Sequence, residues 1–349
     1  MTGRRLLRGL LGALLIPGAW LPIGHVSAVE AAADPAVSVE RVAFPVTFDP
    51  RDQGDKLWGF LYRPTAPAAS ASCTSSVLLL LHDVSYATHQ WDLPVGPGTY
   101  STARLLAAAG YPTVTVDLPG HGSTDGGDGF RIHLGVYAGV ASQVVAQLRS
   151  GDYRTFKGRP APRFATVGLV GAGVGTEVAE LVAAGDRQLA LLVATGWTHF
   201  PSPQFLRDFA NWDVPQTIGT PYTYFGGLPD RRVKYMYNTP AAEPSVMKKD
   251  TALSQHSPSG LILTMMSQPA RAVMAAIEIP VLLLLGENDY MFPSSHADAE
   301  LGLFAGAADR TMRIVERAGH SLFLHRNASE THQGLVDWLR QRPEALPAC

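Results

Sequence analysis

The sequence predicts an α/β protein: a mostly parallel eight-stranded sheet with helices on both faces and a segment inserted over one edge. Three observations predict it. Short apolar, β-rich runs alternate with stretches of helical composition, the pattern of parallel strands joined by crossover helices. The later runs are almost wholly apolar, as strands covered on both faces are. The chain has 349 residues, 46% hydrophobic and 17% charged, enough for a sizeable core and too apolar for a disordered state.

In order, residues 1–28 read as an export signal. Arg4, Arg5 and Arg8 precede an apolar stretch from Leu10 to Leu21, and Val26-Ser27-Ala28 closes it with a small residue. Arg4-Arg5 matches the start of a twin-arginine signal, which exports folded protein, while the Leu-Leu-Arg that follows fits that pattern only loosely. Pro17 and Pro22 interrupt the stretch, which is short for a span, and no later segment is a candidate, so an exported protein without a stable membrane span is expected. Residues 29–196 and 276–349 read as the core. Val37–Phe44 and Lys56–Tyr62 form an opening strand pair. The runs Val77–Leu81, Thr113–Val116, Thr166–Val170, Leu191–Ala194, Val281–Leu285 and Thr311–Val315 follow, with helices at Ser101–Ala109, Tyr137–Arg149, Gly175–Ala184 and Ala328–Arg340.

One interval breaks the alternation. Residues 197–275 separate two strands by more than a crossover needs. Within 197–240, ten of 44 residues are aromatic, about 23% against 9% for the chain. The segment reads as a cap over the carboxyl edge of the sheet, where such folds bind ligands; the alternative is a decoration whose rings fill its own core. A formal net charge of −2 gives no basic excess for nucleic acid. Cys73 and Cys349 are too few for a disulfide scaffold or a Cys-based zinc site, although export would let them pair. The eleven histidines show no metal-ligand spacing beside carboxylates, so neither metal nor cofactor is expected.

Four sites, each at a strand end, carry the chemistry: Leu80-Leu81-His82-Asp83-Val84; Asp117-Leu118-Pro119-Gly120-His121-Gly122-Ser123; Val170-Gly171-Ala172-Gly173-Val174-Gly175; and Gly286-Glu287-Asn288-Asp289 with Ala318-Gly319-His320-Ser321. In this order and spacing they resemble the α/β-hydrolase superfamily over essentially the whole mature chain. Trp91-Asp92-Leu93-Pro94 and Ala109-Gly110-Tyr111 look closest to secreted actinobacterial and fungal members. The resemblance implies the α/β-hydrolase fold. It also implies a strand-to-helix elbow, Gly-x-Ser-x-Gly, with a serine at its apex.

Here the apex is Gly173, which cannot attack a carbonyl, and residues 168–175 hold no Ser, Thr, Cys or Asp. Thr176, the nearest hydroxyl, falls inside the helix. The resemblance also implies an oxyanion hole from the N–H groups of Val84 and Val174. Asp83 stands where the family usually has glycine. Turned inward and ionised, it would oppose negative charge in that hole; turned outward, it would only bond its own turn.

Asp289 and His320 match the remaining triad positions. An Asp–His pair fixes the imidazole tautomer and raises its basicity, which suits a general base. Asp117 and His121 are expected to brace the site. Trp197, His199 and Ser85 are candidates to line the pocket and contact substrate. The first functional expectation is a serine-free enzyme. His320–Asp289 would act on an apolar, polycyclic or polyketide-like small molecule by cyclisation, C–C bond formation, elimination or isomerisation, as in cyclases of bacterial natural-product pathways, enediyne types included. The second is a hydrolase of an ester, lactone or epoxide using His320-activated water. The third is a binding protein that kept the pocket and lost the chemistry.

Overall fold

Strand β3 (Ser76–Leu81) lies at the middle of the sheet, where all six of its side chains are buried. The computed structural model describes residues 36–48, 54–65, 76–96, 98–157 and 160–349. The expected export signal and Cys73 lie outside them; Cys349 is exposed. The described residues fall within one compact unit, Ala32–Cys349.

The remaining strands of the main sheet are β1 (Val37–Pro45), β2 (Lys56–Pro64), β4 (Thr113–Val116), β5 (Arg154–Thr155), β6 (Thr166–Ala172), β7 (Leu192–Thr195), β10 (Val281–Gly286) and β11 (Arg310–Val315). Their order is β11-β10-β7-β6-β3-β4-β2-β1-β5. From β4 to β11 the pairings are parallel, while β2 joins β4 and β1 joins β2 antiparallel. Among the described residues nine strands, not eight, share the sheet. The extra one, β5, is two residues added to the outer edge of β1, too short to leave a periodic signal.

Alternation along the strands divides the core into two layers. Leu79 and Leu81 face one side with α2 (Leu134–Ser150) and α3 (Val174–Gly185), whereas Leu78 and Leu80 face the other with α1 (Thr102–Ala108) and α10 (Ala328–Arg340).

Residues 197–275 form α4 (Pro203–Asp208), a π-helical turn at Phe209–Asp213, α5 (Val214–Thr217), α6 (Pro229–Met236), α7 (Pro244–Leu253) and α8 (Ser259–Met265). A two-stranded ladder of β8 (Tyr222–Thr223) and β9 (Ser257–Pro258) lies among them. Proline opens α4, α6 and α7, where its missing N–H costs nothing. The aromatic residues pack largely on one another. Phe205 lies edge-on to Tyr235 at 5.3 Å between ring centroids and against Phe292 at 5.9 Å, and Phe225 is buried beside Tyr235. The rings expected to wall a ligand site thus include several that form the insertion's own core.

Candidate active site

The elbow keeps its backbone and lacks its side chain. β6 ends at Ala172, Gly173 takes φ 51° and ψ −123°, and α3 begins at Val174. A Cβ on Gly175 would overlap the Leu81 carbonyl, so close packing holds this turn against β3. A Cβ on Gly173 would overlap the carboxyl group of Asp83. Thr176 is spent on backbone, with Oγ1 donating to Thr195 O at 2.9 Å.

The Asp83 carboxylate is turned inward and buried. Its Oδ1 accepts from Val84 N at 2.7 Å and from Val174 N at 2.8 Å, the two N–H groups expected to form the oxyanion hole. Its Oδ2 lies 3.0 Å from His320 Nε2. Its own N–H donates to Gln90 Oε1 at 2.7 Å. His82 Nε2 accepts from Leu118 N at 3.0 Å, which leaves Nδ1 as the protonated nitrogen that donates to Asp83 O at 2.8 Å. The turn is therefore tied at both backbone ends.

His320 Nδ1 lies 2.8 Å from Asp289 Oδ2. The other oxygen, Asp289 Oδ1, accepts from the N–H groups of Met291 and Phe292 at 2.8 and 3.1 Å. The Phe292 ring sits 5.7 Å from the imidazole. Burial works to lower the His320 pKa, but Asp289 and then Asp83 outweigh it and push it up to about 10. In this arrangement His320 is an imidazolium at neutral pH. The general base expected from the sequence starts with its proton in place, because a second carboxylate faces Nε2.

Other expected residues divide. Asp117 accepts from Thr88 N and Ser123 N at 2.8 and 2.9 Å, and His121 bonds the Tyr137 hydroxyl at 2.8 Å and Ser257 Oγ at 3.2 Å, so both brace the surrounding loops. Ser85, at φ 64°, uses Oγ to accept from Arg232 Nε of α6 at 3.2 Å. Trp197 lies tilted against Phe292, with ring centroids 4.5 Å apart, and Phe292 in turn adjoins His320. His199, expected at the pocket, instead lies in a separate buried group: Nδ1 is 2.9 Å from Glu300 Oε1 and Nε2 is 3.8 Å from Glu180 Oε2. Its own chain position drew it there, since its backbone N–H donates to Glu300 Oε2 at 2.7 Å.

The alpha/beta hydrolase family model matches residues 77–332. The chain belongs to the alpha/beta hydrolase family. Its fold is similar to that of a thermophilic esterase from Thermogutta terrifontis, at TM-score 0.63 and 18% identity over 86% of this chain and 98% of that one. It is also similar to an esterase from Exiguobacterium antarcticum, at TM-score 0.63 and 16% identity over 85% and 98%. A monoacylglycerol lipase from Paleococcus ferrophilus matches at TM-score 0.58 and 18% identity over 82% and 99%. No curated protein matches by sequence.

In this alpha/beta hydrolase several residues shape the site without a local sequence signal. Gln90 fixes Asp83. His325 Nε2 accepts from Gly319 N and Asn238 N at 3.0 and 3.1 Å and so holds the loop that carries His320. Arg232 spans from Ser85 to Asp250 Oδ2 at 2.6 Å, where the Tyr86 and Tyr237 hydroxyls also donate. Among the described residues, one group has ligand atoms close enough for a metal ion: Glu180, His199 and Glu300, all buried. They come from α3, the loop after β7 and α9 (Ala297–Leu303), so no linear spacing announces them. No helix of the described residues is long and apolar enough to cross a membrane.

Proposed function

We propose that this alpha/beta hydrolase cleaves a C–O bond of an ester, lactone or epoxide with water and without a hydroxyl nucleophile. One observation carries the reading: His320, oriented by Asp289, directs Nε2 at the Asp83 carboxylate beside an elbow whose apex is glycine. The imidazolium serves first as an acid that protonates the leaving oxygen. Once it has given up that proton, Asp289 keeps the neutral ring oriented to accept one from water. Residues 197–275 act as the cap over this centre, and residues 1–28 direct export.

Two observations favour hydrolysis over cyclisation of a polycyclic substrate. The similar folds include esterases and a lipase. Several insertion rings pack on one another rather than forming a ligand wall. The test is turnover of a panel of p-nitrophenyl esters, aromatic lactones and styrene oxide. Hydrolysis of at least one is expected, with a loss of roughly 10²–10⁴-fold in His320→Ala and no inhibition by serine-directed phosphonates. Inhibition by those reagents, or an unchanged rate in His320→Ala, would contradict the reading.

A further inference from the structure

We infer that Asp83 is the covalent nucleophile of this site and that its substrates present an electrophilic saturated carbon bonded to oxygen, an epoxide being the simplest. The inference rests on the hydrolytic reading above and adds to it the attacking atom and the kind of carbon attacked.

Space is the first argument. The volume that a side chain on the elbow apex would need is taken by the Asp83 carboxyl group, which reaches it from the neighbouring turn. Glycine at 173 is therefore required by Asp83, and the two departures from the family pattern are one structural change. Orientation is the second. Oδ2 faces His320 Nε2 at 3.0 Å, where a nucleophile's reacting atom would stand, and Oδ1 fills the oxyanion hole.

The occupied hole also selects the substrate. Attack at an acyl carbon would place negative charge on the substrate's carbonyl oxygen, which needs those same two N–H groups. They already hold the nucleophile's second oxygen. Displacement at a saturated carbon makes no carbonyl oxyanion. The hole is needed only afterwards, when the ester formed on Asp83 is hydrolysed and charge develops on Oδ1 itself.

The steps balance. Oδ2 bonds to the epoxide carbon as the ring C–O bond breaks, and the leaving oxygen takes the proton from His320 Nε2. Esterified Asp83 no longer faces the imidazole with a negative charge, so the neutral ring can act as a base. Water adds to the Asp83 carboxyl carbon and passes a proton to His320, while the oxyanion on Oδ1 rests on Val84 N and Val174 N. Collapse breaks the bond between that carbon and Oδ2, and the diol oxygen takes a proton from His320. The carboxylic acid then returns its proton to His320. The sum is epoxide plus water giving diol. Oδ2 leaves in the product, and the water oxygen stays in Asp83.

That exchange is the test. Wild-type protein is turned over with styrene oxide in heavy-oxygen water, digested, and the peptide carrying Asp83 is weighed. The expected result is heavy oxygen in Asp83 in proportion to turnovers. Turnover that places the label only in the diol overturns the inference and leaves the hydrolytic reading standing. So does turnover of p-nitrophenyl acetate with none of styrene oxide. Failure of every ester, lactone and epoxide probe overturns both. A second measurement uses phenacyl bromide, whose bromide leaves without a proton. In His320→Gln an ester on Asp83 should accumulate, because water is no longer activated, and it should be absent in Asp83→Asn/His320→Gln. Alkylation of other residues but never of Asp83 overturns the inference.

Discussion

At the scale of single residues, Gly173 and Asp83 cannot be changed independently. Gly173→Ser alone puts Cβ into the Asp83 carboxyl group, and a buried overlap of this kind costs about 1–3 kcal/mol. It should lower the melting temperature and yield no phosphonate-sensitive esterase. Asp83→Gly/Gly173→Ser should regain stability and hydrolyse p-nitrophenyl acetate with phosphonate sensitivity, because the hole is then vacant and the serine reaches His320. Activity in the single variant would contradict this coupling. His320 gives a pH signature. Its folded pKa of about 10 lies above its ordinary value of 6.5. The stability it contributes is complete below pH 6.5 and is lost as pH rises towards 10. Thermal unfolding across that range should show the decline. In Asp83→Asn, which keeps the shape and removes one charge, the decline should end at lower pH.

At the scale of elements, buried charge fastens the insertion to the turn after β3. Arg232 on α6 and Asp250 on α7 form an ion pair that also holds Ser85. Removing one partner strands the other in the core, at about 3–5 kcal/mol. Arg232→Ala should therefore destabilise strongly, and Arg232→Ala/Asp250→Ala should recover part of the loss in chemical denaturation. Helix α3 carries the opposite feature, buried acidic groups that face a third acid, Glu300. Burial pushes Glu177 up to about 8, with Glu300 adding to the effect, and raises Glu180 well above its usual range, with Glu300 and Glu177 adding. A carboxyl whose pKa rises on folding penalises the fold as pH climbs from its unfolded value to its folded one. Glu180→Gln should therefore raise the melting temperature at pH 8 more than at pH 5. A fall at both would show that the ionised carboxylate is needed there.

At the scale of the whole molecule, the sheet sets a rank of local stabilities. β3, β4, β7 and β10 are buried along their length, whereas β11 is an edge strand of intermediate and exposed residues. Amide exchange should be slowest in β3, β6 and β10 and faster in β5 and β11. The sequence by itself determined the strand runs, the helices between them, the elbow without a hydroxyl and the Asp289–His320 pair. Burial on both faces writes a continuous apolar run into the chain, and a tight turn writes a short motif. Only the tertiary structure decided where Asp83 points, that His320 therefore begins as a cation, that His199 joins Glu180 and Glu300, and that Arg232 and His325 hold the loops. Those outcomes depend on groups far apart in the chain: Asp83 and His320 are separated by 237 residues, and Arg232 and Ser85 by 147. A carboxylate's role follows from the donors and charges that surround it, and these meet only when the chain has folded.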